Sequence, residues 1–222
     1  MTHLDTELQQ LKSEITEMWS IVISQLKKTN EALITLDKDL ARDVIIHEKR
    51  INAMELKIDR GCENIFALFN PVAVDLRFVL AVLKINNNLE RTGDIAEGIA
   101  KFIICTESHF DEKLLEITQV ILMHEEAMAM LKDALKAFET EDTKMARKIF
   151  ERDEMLDEIN LKANSKIAYY IRSNPAQIEQ ALYILSTIRK LERIGDQSKN
   201  IAEEIIFYIE AKVLKHLANK PN

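Results

Sequence analysis

The chain has 222 residues and 25.6 kDa, and its 37 acidic against 30 basic residues give a net charge of −7, a balance that argues against a face built to neutralise nucleic-acid phosphates. Four Gly and three Pro leave few points where the chain can turn sharply, and with aromatic residues at 6% and Val scarce beside Leu, Ile, Ala, Glu and Lys, the composition excludes a substantial sheet and predicts at least three-quarters helix. The longest uncharged apolar stretch, Ile65 to Val74, is ten residues interrupted by Asn70-Pro71, whereas a membrane span needs roughly 20.

The first helix is expected over residues 4–28, where Leu4, Leu8, Leu11, Ile15, Met18, Val22 and Leu26 fall at alternating steps of three and four. A second runs over 31–69; at roughly 1.5 Å per residue it would be about 55 Å long, and a kink is expected near Leu36-Asp37-Lys38. It ends at Asn70-Pro71, because a proline biases the residue before it out of the α region, and a third helix starts at Pro71 and reaches Cys105. The chain then divides near 107–111. The second half repeats the plan with helices over 111–139, 142–173 and 176–216, the first two separated by the polar cap candidates Glu139-Thr140-Glu141-Asp142-Thr143.

The halves are related in sequence. Leu89-Glu90-Arg91-Thr92-Gly93-Asp94 recurs as Leu191-Glu192-Arg193-Ile194-Gly195-Asp196, with Glu90 and Glu192 102 residues apart. Upstream, Ala41-Arg42 matches Ala146-Arg147, Glu48 matches Asp153 and Asn70-Pro71 matches Asn174-Pro175. A period this long indicates duplicated domains, since solenoid repeats run to roughly 20–50 residues. The expected fold is all-α: two tandem, sequence-similar three-helix bundles of six long helices, one over residues 1–108 and one over 109–222.

Each copy of the phrase places a Glu and an Asp at i and i+4, on one helix face and a turn apart. Glu48 with Asn52, and Asp153 with Asp157, repeat that spacing on the preceding helix. Asp94 lies 24 residues after Asn70 and Glu48 lies 22 before it, so on antiparallel helices joined there the two acidic pairs stand at about the same height. Repulsion between such carboxylates becomes attraction when a hard cation lies among them. Gly93 and Gly195 sit inside predicted helices, where Gly costs about 1 kcal/mol relative to Ala, and so mark a close approach of a helix or a ligand.

Pro71-Val72-Ala73-Val74-Asp75-Leu76-Arg77-Phe78, the two Glu-Arg-x-Gly-Asp phrases and Asn200-Ile201-Ala202-Glu203 resemble the PhoU family over nearly the whole chain. The resemblance implies two three-helix bundles whose Glu/Asp-x-x-x-Asp motifs carry divalent or trivalent metal ions, iron first among them and zinc or others as alternatives, in surface carboxylate clusters. It implies negative regulation of phosphate uptake and of the phosphate-starvation response, through contacts with the ATPase of a phosphate transporter, or another phosphate transporter, and with a sensor histidine kinase. Membrane association would be peripheral only. The ligands it implies are Glu48, Glu90 and Asp94 in the first half and Asp153, Asp157, Glu192 and Asp196 in the second. Asn52 stands where the family pattern has Asp, Gly98 and Lys101 stand opposite Asn200 and Glu203, and Gln197 stands where His is frequent, which puts more weight on the second-half site.

The remaining readings follow from what is missing. None of His3, His47, His109, His124 or His216 follows a Glu by three residues, as the Glu-x-x-His of a di-iron carboxylate enzyme requires. A histidine phosphotransfer domain would need His47 or His124 exposed on a bundle face. A metal-free helical scaffold is the plainer alternative. Cys62 and Cys105 read as two small buried side chains in a reducing compartment, and the N-terminus has no basic and apolar run of a secretory signal, so a cytoplasmic location is expected. Phe66, Phe69, Phe207 and Tyr208, near predicted helix ends, suggest a patch covered in a homodimer. The sequence reads as a regulatory binding protein with no catalytic residues.

Overall fold

The computed structural model describes residues 2–214, of which 91% are helical, with no strand among them. Helix α1 spans His3–Thr35, α2 Lys38–Phe69, α3 Ala73–Cys105, α4 Glu112–Thr118, α5 Val120–Thr140, α6 Thr143–Ser173 and α7 Ile178–Glu210, with a 3-10 turn over Pro175–Gln177. Helices α1, α2 and α3 pack on one another, as do α5, α6 and α7, with α4 laid against the second set. The halves meet where α3 packs on α7 and α1 on α5, so that the buried apolar side chains form one continuous core. Trp19 of α1, fully buried, donates its indole N–H to the Leu131 carbonyl of α5 at 3.1 Å.

The expected bundles are present, but the described residues form seven α-helices rather than six. The predicted 111–139 helix is broken at Gln119, whose backbone is left-handed with φ 59°. There the Thr118 hydroxyl donates to the Leu114 carbonyl at 2.7 Å and the Gln119 amide to Leu115 and Glu116, which closes α4 with its own terminal carbonyls. The break between the first two helices falls at 36–37, not at 29–30. Thr29 is satisfied within the helix by donating to the Gln25 carbonyl, whereas Leu36 turns left-handed at φ 52° and the Asp37 carboxylate accepts the amides of Asp39 and Leu40, an N-cap worth about 1 kcal/mol. Helix α3 starts at Ala73 rather than Pro71, because Asn70 is left-handed and Val72 extended. The last helix stops at Glu210, with Ala211 left-handed at φ 57°, short of the predicted 216, which lies outside the described residues.

Among the described residues no helix is long and apolar enough to cross a membrane. Cys62 is buried, as read, but Cys105 is exposed, and both are free thiols. The four aromatics expected to form an open patch are engaged within the chain. His3 stacks on Phe69 at 5.2 Å, Lys84 lies over Phe207 at 5.3 Å, and Tyr208 is buried edge-on against Phe78 and Phe138. Phe66 packs against the core.

Candidate functional site

Two carboxylate clusters lie on the α2–α3 and α6–α7 faces, and the helical glycines Gly93 and Gly195 explain how they form. A Cβ on Gly93 would sit 2.9 Å from Glu48 Oε2 and 2.9 Å from Ile51 Cδ1; one on Gly195 would sit 2.5 Å from Asp153 Oδ1 and 2.7 Å from Leu156 Cδ2. The missing side chain lets the neighbouring helix lay a carboxylate against bare helix backbone. Glu48 and Asp153 are thereby the deepest acids of their clusters, 5% and 3% exposed, at the height of Gly93 and Gly195 that equal spacing from the interhelical turns requires. One oxygen of each, Glu48 Oε1 and Asp153 Oδ1, has no hydrogen-bond partner.

In the first half burial pushes the Glu48 carboxyl up to about 8, reinforced by the negative charges of Asp94, Glu97 and Glu90. Burial also raises Glu90, with Asp94 and Glu55 adding to it, and raises Glu55, with Asp59 and Asp94 adding. The structure thus gathers Glu48, Glu90 and Asp94 as expected and adds Glu55 and Glu97. Both were legible as additions at i+7 on the same faces, from Glu48 and from Glu90.

The second cluster gathers Glu192, raised by burial and then by Asp196, Asp157 and Asp153, around a cation that sequence reasoning missed. Lys199 Nζ pairs with Asp153 Oδ2 and lies 2.9 Å from Asp196 Oδ1. Burial works against the charge on Lys199, yet these two hydrogen bonds raise its ammonium above the ordinary lysine range. Asp153 is nonetheless raised, because burial outweighs the ammonium. Lys199 is the counterpart, 102 residues on, of Glu97. The signal was that charge reversal between the repeats.

Among the described residues no three His, Cys, Asp or Glu side chains close into a ready metal cage. In donor chemistry the clusters suit a hard, oxygen-preferring cation. In the first half Glu48, Glu90 and Asp94 would hold it, the orphaned Glu48 oxygen among the donors. In the second half Asp153, Asp157, Glu192 and Asp196 would hold it only with Lys199 displaced. His124 is fully buried with neither ring nitrogen bonded, and burial pushes it down to about 4, which leaves a neutral core imidazole rather than an exposed phosphoacceptor. His47 is half-exposed beside Asp43, its Nδ1 2.8 Å from that residue's carbonyl.

The glycine geometry makes a prediction. Replacing Gly195 with Ala gains about 1 kcal/mol of helix propensity but drives Asp153 and Leu156 apart from α7, and overpacking of this kind costs about 1–3 kcal/mol. A net loss of about 1 kcal/mol in urea unfolding is expected; a variant more stable than the parent would show that both side chains move aside freely.

The PhoU domain model matches the chain twice, over residues 15–103 and 120–205. The chain is 31% identical over 214 residues to the phosphate-specific transport system accessory protein PhoU homolog 1 of Thermotoga maritima, covering 96% of this chain and 91% of that protein. It is 35% identical over 210 residues to the PhoU homolog of Caulobacter vibrioides, covering 94% and 90%. The crystal structure of PhoU from Pseudomonas aeruginosa superimposes with a TM-score of 0.88 at 31% identity, covering 95% of this chain and 100% of that one.

Proposed function

Since the chain belongs to the PhoU family, we propose that it is an accessory regulator of phosphate transport that restrains phosphate uptake and the phosphate-starvation response. The observation that carries this reading is similarity over almost the full length of proteins named as accessory to a phosphate-specific transport system. An accessory protein acts by contact. The partners in this reading are the ATPase of a phosphate transporter, or another phosphate transporter, and a sensor histidine kinase, met at the cytoplasmic face of the membrane by a homodimer with no catalytic residues. Exposed Leu68, Val72 and Val74 at the α2–α3 joint supply apolar surface for such contacts.

In the same reading a hard cation, with iron foremost, binds the first cluster through Glu48, Glu90 and Asp94, and the second through Asp153, Asp157, Glu192 and Asp196. When bound it would neutralise the crowded carboxylates and tie α2 to α3 or α6 to α7. The Lys199 ammonium between Asp153 and Asp196 favours a second reading for that half, a metal-free bundle whose cation is its own side chain.

Deleting the gene should switch on phosphate-uptake genes in phosphate-rich medium, and the wild-type chain supplied in trans should silence them again. Unchanged transcription on deletion would overturn the regulatory reading. Elemental analysis of the purified protein separates the two metal readings, and light scattering at twice 25.6 kDa would support the homodimer.

A further inference from the structure

Between α3 and α7, on one side of their crossing, lies a cleft of about 470 Å³ lined by Arg91, Lys101, Lys190 and Arg193 together with Asp94, Glu97 and Phe102. In a chain of net charge −7 this cleft gathers four cations against two carboxylates. Lys101 is paired with Glu97 at 2.5 Å, but Arg91, Lys190 and Arg193 make no ion pair or side-chain hydrogen bond among the described residues. Lys190 is half-buried, its ammonium 5.7 Å from the centre of the Phe102 ring, which is stacked on Tyr183. Burial, then Arg193 and Lys101, lowers its hold on the proton, against the opposing negative charges of Asp94 and Glu97.

The pseudo-symmetry of the molecule provides a control. Arg91 and Arg193 are repeat counterparts, so α3 and α7 cross with a second cleft on the opposite side, lined by Lys84, Asn87, Asn88, Arg91, Asn200 and Glu204. In that cleft, which Arg91 also lines, Lys84, Asn88 and Asn200 are satisfied internally. Lys84 binds both Glu204 oxygens at 3.1 and 3.0 Å, and Asn200 donates to Asn88 at 3.4 Å. At the matching place in the first cleft Lys190 stands for Asn88 and Gly98 for Asn200. A Cβ on Gly98 would lie 2.5 Å from Lys190 Nζ, so the glycine is what gives the ammonium its seat. The repeats have diverged so that one cleft carries two cations against one carboxylate, with its lysine bound to that carboxylate, and the other carries four cations against two, with Arg91, Lys190 and Arg193 free of ion pairs among the described residues.

We propose that the Arg91–Lys101–Lys190–Arg193 cleft binds phosphoryl oxyanions. Two guanidinium forks can each meet two oxygens of a phosphoryl group, and an ammonium on an aromatic floor adds a point charge, the combination by which such groups are recognised. A bound dianion would relieve the mutual repulsion of the cations and match the excess of two positive charges over Asp94 and Glu97. The cleft volume is within the roughly 300–1,000 Å³ of small-molecule sites and admits either free inorganic phosphate or the phosphoryl end of a metabolite. The inference needs no metal, and it gives the regulator proposed above a direct means of sensing the nutrient or a phosphorylated product of it.

The test is calorimetric titration of the full chain in EDTA at fixed ionic strength, with orthophosphate, pyrophosphate and ATP as probes. At least one probe is expected to bind with a Kd below about 1 mM. The double variant Lys190→Gln/Arg193→Gln should weaken it by about tenfold or more, and Lys84→Gln in the opposite cleft by less than about twofold. Gly98→Asn, which keeps every charge but takes the seat of the Lys190 ammonium, should weaken binding too. Binding of orthophosphate would identify the free anion, and binding of pyrophosphate or ATP alone a phosphorylated metabolite. No binding of any probe, or equal affinity in the double variant and the parent, would overturn the proposal. So would binding that appears only after metal is restored, which would place the anion on a metal ion instead. Gene regulation and metal content are read in separate assays, so their failure leaves this result standing.

Discussion

In metal-free buffer at pH 7, Glu48→Gln is expected to stabilise the chain by about 3 kcal/mol, which at this size raises the melting temperature by roughly 6–12 °C. The Glu48 carboxyl has an ordinary value of 4.5 and is pushed to about 8 by burial and by Asp94, Glu97 and Glu90. An acid with a raised folded pKa holds its proton more tightly in the native state. The stability this supplies is complete below about pH 4.5 and is lost as pH rises through about 8. Glutamine keeps the shape without a proton to lose, so its stability should be flatter across that window. Glu90 and Glu55 are raised in the same direction and leave a residual slope in the variant. Urea unfolding between pH 5 and pH 9 in EDTA reads the difference, and parallel curves for parent and variant would show that Glu48 titrates as an ordinary solvated acid. Metal should reverse the order, since a bound cation stabilises ionised Glu48 and has less to hold in the glutamine variant.

Why these acids were findable from sequence, and some of their neighbours not, has a physical answer. Periodicity and the scarcity of Gly and Pro gave the bundles, because an amphipathic stripe specifies a helix wherever caps and turns do not interrupt it. The errors lie where the interruption is made by residues with no strong turn signature. Gln119 and Leu36 adopt left-handed backbone without being Gly or Asn, and there they end α4 and α1. The height argument placed Glu48 beside Gly93 and Asp153 beside Gly195 because rise per residue is the same on both antiparallel helices. Charge balance was harder to see. Asn52 against Asp157 marked the second half as the more acidic, yet the reversal from Glu97 to Lys199 puts an ammonium into that cluster and none onto Glu48. Whether a lysine one turn along a helix points into a cluster or out to water depends on its rotamer, which spacing does not fix.

Lys199 therefore decides how the second cluster behaves, and its removal is expected to have opposite effects with and without metal. The Asp153 carboxylate it holds is 5% exposed and the lysine side chain 27% exposed, so Lys199→Met strands a buried charge. Breaking a fully buried pair costs about 3–5 kcal/mol; with the lysine partly in solvent and Asp153 free to take up a proton, about 2 kcal/mol is expected in EDTA at pH 7. The same change vacates the seat between Asp153 and Asp196. Added metal should then stabilise Lys199→Met more than the parent, because a cation no longer has to displace the ammonium and binds the folded state more tightly. Asp196→Asn works the other way. It removes the contact at 2.9 Å but leaves Asp153 paired with Lys199, so metal-free stability should stay level while the metal-induced shift shrinks. Thermal melts of the three proteins with and without metal separate the accounts. If Lys199→Met gains no more from metal than the parent, and Asp196→Asn loses none of the parent's gain, the second cluster is a lysine-centred ion-pair network and not a cation site.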